Sequence, residues 1–547
     1  VNSKIGFGLG RSKGLAPPAL LFFGLLLPFP APAQTSFLTF ASTVDGTEQP
    51  YALYLPERYD RTQRYPLLVS LHTEDSNHRL NLRQVLGPVD RMGRPERADP
   101  RFIVAFPLAR GSMGYWGIAE QDVYDMIAAI EQRYPIDPDR VYLTGPSMGG
   151  GGALWLALTH PDRWAAVAPL CAAVMPGSEE LAPNLTNLPV RFYQGEDDTI
   201  VAPASSRGWQ RRLLDIGAPA SYFEYPNLRH NVWDLAYRPG AAFDWFAQFR
   251  RNRSPERVRF VSRSYRYAAA YWVRIDGLTP GVDAEIDARR EGSKVTVQTK
   301  NVDGFTVMLD GITAVTIDGK LASPHQSRER KRAEGPLSFT KTAAGWRSGR
   351  YQPAAKRADA EGPIFDIASR RPIYVYGTLG TRTAGEIEDR RKAAETAARW
   401  STARLRVEVA PPVKADSEIS DAELASNDLV LIGTAASNSV LSRVASQLPL
   451  ALDPGAADYG LLFIAPLGKH YVLVASGLPW WTGADEADRG IYGFAAEPLA
   501  LLATFGDYIL FKGSLAHVVQ EGRFDRNWKV PEDAAARMKA AGTVTIR

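Results

Sequence analysis

Gly145-Pro-Ser147-Met-Gly149 sets a serine between two glycines, and its surroundings decide what that serine can do. The run Val141-Tyr-Leu-Thr144 before it has strand composition, and Gly149 to Gly152 followed by Ala153-Leu-Trp-Leu-Ala157 opens a helix. A serine at such a strand-to-helix turn is held at a strained backbone angle, and only small neighbours let strand and helix approach that closely. That is a nucleophile's position. A serine that merely capped the helix would not need glycine on both sides.

A serine hydroxyl is a weak nucleophile at neutral pH and needs a positioned base. The chain has seven histidines. His72 and His78 precede the serine, and His160, in Thr159-His-Pro-Asp-Arg163, ends the helix after it. His325, His470 and His517 lie outside the first α/β region. His230, in Pro226-Asn-Leu-Arg-His230-Asn-Val-Trp233, is expected at the carboxyl end of the last strand, where a doubly wound sheet gathers its site. The acid should fall between serine and base. Phe192-Tyr-Gln-Gly195-Glu-Asp197-Asp198-Thr-Ile-Val201 offers two: one to hold the imidazole tautomer, the other to cap the helix that follows. The chemistry of such a set is acyl transfer to water through an acyl-serine.

These residues need a sheet to position them. Tyr65 to Leu71, Phe102 to Phe106, Val141 to Thr144, Ala165 to Leu170 and Val190 to Tyr193 are short apolar runs without alternation, as in strands covered on both faces. Helical spacing recurs between them in Asp122 to Tyr134, Met148 to Leu158 and Ala204 to Ile216. The pattern predicts an α/β fold, a doubly wound and mostly parallel sheet over 34–252, with Phe37 to Leu55 as an antiparallel pair at its edge. Period-two runs between Gly, Asp and Asn turns predict a small antiparallel, sandwich-like β domain over 253–326. The polar, Lys- and Arg-rich stretch 327–362 is expected to be an exposed connector, and 363–547 a second α/β domain. In the latter, Pro372 to Gly377, Leu405 to Val409 and Leu429 to Gly433 are expected strands, with Ala384 to Trp400 and Ser437 to Leu448 helical. Gly377-Thr-Leu-Gly380 lacks the spacing of a phosphate-binding loop and is expected to be a plain turn.

Bulk properties exclude several classes. A chain of 547 residues exceeds one compact core. A net charge of +4, with no basic run interleaved with aromatics, gives no reason to expect nucleic acid. The lone cysteine, Cys171, precludes an intrachain disulfide and sits in an apolar run as a buried small side chain. No His/Cys/Asp cluster has metal-ligand spacing, so neither metal nor organic cofactor is expected. Lys4, Arg11 and Lys13, an apolar stretch from Leu15 and Ala31-Pro-Ala33 have the build of a cleaved signal peptide over 1–33. With Val1 as an alternative start, they predict a secreted or periplasmic bacterial protein that keeps no membrane anchor.

Tyr51-Ala-Leu-Tyr-Leu-Pro56, the strand ending in Leu71-His72, Gly145 to Gly150, Gly195-x-x-Asp198-x-x-Val201 and His230-x-x-Trp233 together resemble one branch of the α/β-hydrolase superfamily. That branch holds feruloyl esterases, polyester depolymerases and prolyl-oligopeptidase-like serine hydrolases. The resemblance covers about Phe37 to Asn252. It implies Asp198 as the acid, from the glycine three before it and the valine three after, and a catalytic set of Ser147, Asp198 and His230. It also implies an oxyanion hole from the Met148 N–H and one from the loop after Leu71, at Thr73. The branch usually has His-Gly there, and His72-Thr73 puts a side chain in that space.

Trp116 and Trp233 are candidates to flank an acyl or aryl group. The expected function is a secreted carboxylic ester hydrolase acting on an ester substrate, plant-wall or polymer-linked. The alternatives are a prolyl-oligopeptidase-like peptidase and a non-catalytic carbohydrate-binding or adhesion protein. A peptidase of that kind carries a propeller before its catalytic domain, and here Gln34 leads directly into the first strands. The region after Pro255 is expected to recognise substrate without entering the chemistry, so that a chain ending near Asn252 would still hydrolyse small esters.

Overall fold

The structure is a computed structural model that describes residues 34–88, 95, 101–322, 335–353, 355–380, 383–399, 407, 409–487 and 498–547. The expected signal peptide lies outside these residues. Eight strands form the first sheet: β1 (Gln34–Ala41), β2 (Glu48–Leu55), β3 (Tyr65–Ser70), β4 (Ile103–Pro107), β5 (Ile136–Pro146), β6 (Ala166–Leu170), β7 (Val190–Gly195) and β8 (Ala220–Tyr225). Their order is β1-β2-β4-β3-β5-β6-β7-β8. β1 pairs antiparallel with β2 and β2 with β4, while β4 through β8 run parallel. The edge pair expected from the alternation of Phe37 to Leu55 is present.

The unbroken apolar runs follow from burial on both faces. Leu67 and Val69 of β3 enter one core with Leu143 and Val167, whereas Leu68 enters a second core with Tyr142 and Ala166. Helices α1 (His78–Leu86), α2 (Ile118–Arg133), α3 (Met148–Thr159) and α4 (Pro203–Asp215) supply the flanking layers. Helix α2 turns Ile118, Val123, Met126, Ile127 and Ile130 inward. Nearly all of α3 is buried.

Two five-stranded sheets follow, facing each other over a core that contains Trp272, Ile275, Val297 and Phe339. This sandwich departs from expectation twice. Lys294–Lys300 pairs parallel with Ala314–Ile317. Leu337–Thr342 and Gly345–Ser348, expected as connector, form a hairpin that completes one sheet. Leu337 and Phe339 turn inward between Ser338 and Thr340, an alternation that the basic residues on the outer face obscure in the sequence. The remaining residues carry a seven-stranded sheet whose strands Val413–Ala415, Ile373–Tyr376, Leu429–Ile432 and His470–Gly477 run parallel. Most of the expected strand Leu405 to Val409 lies outside the described residues. Val407 joins no sheet and makes an isolated bridge to Gly111.

The first unit is not self-contained. Its core includes Val261, Ala368 and Val407, all from beyond Asn252. The buried Asn184 side chain pairs with Val261 like a strand, Oδ1 accepting from its N–H at 2.7 Å and Nδ2 donating to its carbonyl at 3.0 Å. Buried Glu120 on α2 accepts from Tyr267 Oη of the sandwich at 2.7 Å. Buried Glu361 in turn accepts from the Tyr265 N–H at 2.6 Å, joining sandwich to third unit. Three later segments therefore supply parts of the interior of the unit expected to end near Asn252.

Candidate active site

Strand β5 ends at Pro146 and α3 begins at Met148, leaving Ser147 alone in the turn with φ 54° and ψ −119°. For a residue with a Cβ this is a strained conformation. It is held from both sides: the Ser147 N–H donates to the Leu170 carbonyl at 2.9 Å, and its carbonyl accepts from Gly151 N at 3.0 Å and Ala173 N at 3.1 Å. The flanking glycines have steric causes. A Cβ on Gly145 would lie 2.5 Å from the Gly149 carbonyl oxygen, and one on Gly149 would lie 2.3 Å from that of Leu71. On Gly152 it would strike the Tyr115 ring at 2.3 Å.

Asp198 follows β7 and is buried, whereas Asp197 is exposed. Asp198 Oδ1 accepts from the N–H groups of Ile200 and Val201, each at 2.9 Å, and Oδ2 accepts from Gln194 Nε2 at 2.8 Å. Oδ2 also lies 2.8 Å from His230 Nδ1. Four donors converge on one carboxylate, a full set for an ionised acid. Gly195 matters here as well: a Cβ would meet the Arg229 carbonyl at 2.1 Å, so only glycine lets the histidine-bearing loop lie against the end of β7. His230 follows β8, with Trp233 edge-on to it at a centroid distance of 6.1 Å. With Nδ1 engaged by Asp198, Nε2 is the ring nitrogen left to exchange a proton.

The segment after β6 lies between the two. Leu170 and Ala173 bind the Ser147 backbone, and the Cys171 thiol donates to the His230 carbonyl at 3.3 Å. Burial pushes the Cys171 thiol far above its ordinary range. The ligating atoms of Cys171, Asp198 and His230 lie within 4.8 Å of one another. A metal would need a thiolate where this thiol is held protonated, and a carboxylate whose oxygens already accept four hydrogen bonds. The donor set does not fit a cation.

The loop after β3 carries Thr73, and it touches the serine turn through Leu71 and His72, whose carbonyls face Gly149. His72 is fully buried, with Nδ1 2.7 Å from the Thr73 carbonyl and Nε2 2.8 Å from that of Leu108. Tyr115 Oη donates to the His72 carbonyl at 3.1 Å. Met148 is the first residue of α3, so its N–H has no intrahelical partner.

The loop Leu108 to Gly117 is itself braced. Ala109, Arg110 and Gly111 all have positive φ, and buried Arg110 binds Asp45 at 2.8 Å and Asp122 at 2.5 Å. Burial pushes the Asp45 carboxyl up, but the hydrogen bonds from Arg110 and Thr47 outweigh it and hold the group down at about 2. Trp116 in this loop packs edge-on against Phe365 at 6.4 Å.

Sequence reasoning missed Gln194, Cys171 as a contact of His230, and the bracing of Arg110 by Asp45 and Asp122. Only the placement of a polar glutamine in an apolar strand hinted at the first.

Residues 42–212 match the family model of esterases, described as "Putative esterase". That match runs from just before β2 into α4. No curated protein matches the sequence. Among solved structures, the chain is similar to a thermostable esterase at 25% identity and a TM-score of 0.34, over 40% of this chain and 64% of that one. It is similar to a CE1 ferulic acid esterase from Anaeromyces mucronatus at 17% identity and TM-score 0.31, over 36% of this chain and 84% of that one. A fluorophosphonate-binding serine hydrolase of Staphylococcus aureus matches at 18% identity and TM-score 0.33, over 40% and 99%. Among the described residues, no helix of this chain is long and apolar enough to cross a membrane.

Proposed function

We propose that the chain is an exported serine carboxylic ester hydrolase in which Ser147, Asp198 and His230 form the catalytic set. The observation that carries this reading is the Asp198 Oδ2–His230 Nδ1 contact of 2.8 Å, on the same sheet edge as a serine at positive φ. Ser147 Oγ attacks the ester carbonyl carbon as His230 Nε2 takes its proton. Asp198 holds the Nδ1–H tautomer and stabilises the imidazolium. The negative oxygen of the tetrahedral intermediate is met by the N–H groups of Met148 and Thr73. The imidazolium then protonates the leaving alcohol, leaving an acyl-serine. Water attacks that ester with His230 again as base, releasing the acid and restoring Ser147.

The substrate class in this reading is an ester of a plant-wall or polymer-linked acid, with Trp116 and Trp233 on either side of the scissile bond. Export rests on the basic and apolar residues before Gln34. The test is a panel of p-nitrophenyl esters, methyl ferulate and a prolyl amide. Turnover of the esters with none of the amide supports the reading. Amide turnover at comparable rates would make the chain a peptidase, and no turnover of any member would remove the catalytic reading.

A further inference from the structure

The esterase-matched residues end at 212, yet the wall beside Tyr115 and Trp116 is built by a turn far beyond them. The 3-10 turn Ile364–Ser369 of the third unit presses against the loop that braces His72. Gly117 opens α2 so close to it that a Cβ would sit 2.9 Å from the Ala368 carbonyl oxygen. Ala368 is fully buried among Met113, Tyr115 and Ile118 of the hydrolase core. Val407 bridges to Gly111 in the same loop. Phe365, half-buried, meets the half-buried ring of Trp116 edge-on at 69°.

This contact lies on a particular side of the reaction. The leaving alcohol must depart toward His230, which protonates it, so the acyl group extends the other way, past the oxyanion donors. Those donors lie on the first turn of α3 and the loop after β3. Tyr115 binds both, its ring against Gly152 of α3 and its hydroxyl on the His72 carbonyl, and Trp116 is the next residue.

We propose that Phe365 is a specificity-determining residue, the third unit's contribution to the acyl-binding wall, which sets the size of acyl group admitted beside Trp116. The inference rests on the esterase reading above. Phe365 takes no part in bond breaking. It limits how far the Trp116 ring can move aside, so the wall is rigid where a hydrolase built from 42–212 alone would leave it open.

The experiment uses the full chain with Phe365→Ala, Phe365→Leu and Phe365→Tyr, and measures kcat/KM on p-nitrophenyl acetate, butyrate and octanoate. Phe365→Ala is expected to move the octanoate-to-acetate ratio by at least about fivefold, the scale on which apolar pockets discriminate chain length. Phe365→Tyr should restore the wild-type ratio, and Phe365→Leu should fall between. A folded Phe365→Ala or Phe365→Leu that lowers all three esters alike, or changes none, overturns the proposal, since a merely structural contact would do that. Labelling of Ser147 by an alkyl fluorophosphonate separates the two readings. A wild-type chain that is labelled and active but shows no ratio shift in the variants sinks this inference alone. A wild-type chain that is neither labelled nor active sinks the esterase reading, and this one with it.

Discussion

The Cys171 thiol donates to the backbone carbonyl of His230 at 3.3 Å, from a residue whose neighbours Leu170 and Ala173 grip the backbone of Ser147. One short segment after β6 therefore touches both the serine turn and the histidine loop. Replacing the thiol should disturb their relative placement. Cys171→Ala is expected to lose about 1–2 kcal/mol of stability from the small cavity and the lost thiol hydrogen bond, measurable by urea unfolding. Native protein should resist iodoacetamide, because the thiol is buried and held protonated. Rapid alkylation with loss of activity would contradict that environment.

Ser147→Ala and His230→Ala should each lower kcat by several orders of magnitude, since members of such a set act as a unit. Retention of more than about a tenth of wild-type activity in either folded variant would refute the assignment.

The two neighbouring acids should separate cleanly. Asp198 accepts four hydrogen bonds in a buried site, while Asp197 is exposed. Asp198→Asn is expected to cripple turnover at neutral pH through the wrong imidazole tautomer. Asp197→Asn should stay within about twofold of wild type. Equal losses in equally folded proteins would leave no basis for the choice.

Stability should fall on mild acidification through two histidines outside the proposed catalytic set. Burial holds His78 down at about 4, helped by the charge of Arg79, and it holds His160 at about 4, helped by Arg163 and Arg266. Both begin from an ordinary value of 6.5. Between these limits the unfolded chain binds protons that the folded chain refuses, so stability is full above 6.5 and declines as pH falls toward about 4. A His160→Asn variant should show a shallower fall in Tm across that window. An identical slope would mean that His160 titrates alike in the folded and the unfolded chain.

A chain cut after Asn252 should fail to unfold cooperatively and should not hydrolyse even small esters. It loses Val261, Ala368 and Val407 from its core, at about 1–3 kcal/mol for each buried aliphatic side chain, against a total stability of about 5–15 kcal/mol for a domain. A soluble, active fragment would show that these contacts are dispensable.

The candidate site was more legible in the sequence than its setting. Ser147, Asp198 and His230 follow a fixed chain order at strand ends, and the glycines beside them answer to local sterics that spacing reveals. The parallel strands were legible because both faces are buried and their residues need not alternate. The hairpin 337–348 was not, since its inward residues Leu337 and Phe339 are outnumbered by polar and basic ones facing outward. Nor could composition reveal that Ala368 and Val407 fill the first core, because small and aliphatic residues carry no sign of which interior receives them. Contacts between distant segments are set by packing, which no local pattern encodes.

The Asn184–Val261 clasp also has a consequence in time. During N-to-C synthesis, the eight-stranded sheet is complete once Tyr225 has emerged, but Asn184 Oδ1 and one of its Nδ2 hydrogens still wait for a strand not yet made, while Nδ2 also donates to the Leu158 carbonyl. The wall against Trp116 waits longer, until Phe365 and Val407 arrive. The expected order of maturation therefore runs from the late segments back to the early site, with ester hydrolysis appearing only after the segment carrying Phe365 and Val407 has docked. In a refolding experiment, recovery of ester hydrolysis should lag the return of secondary structure.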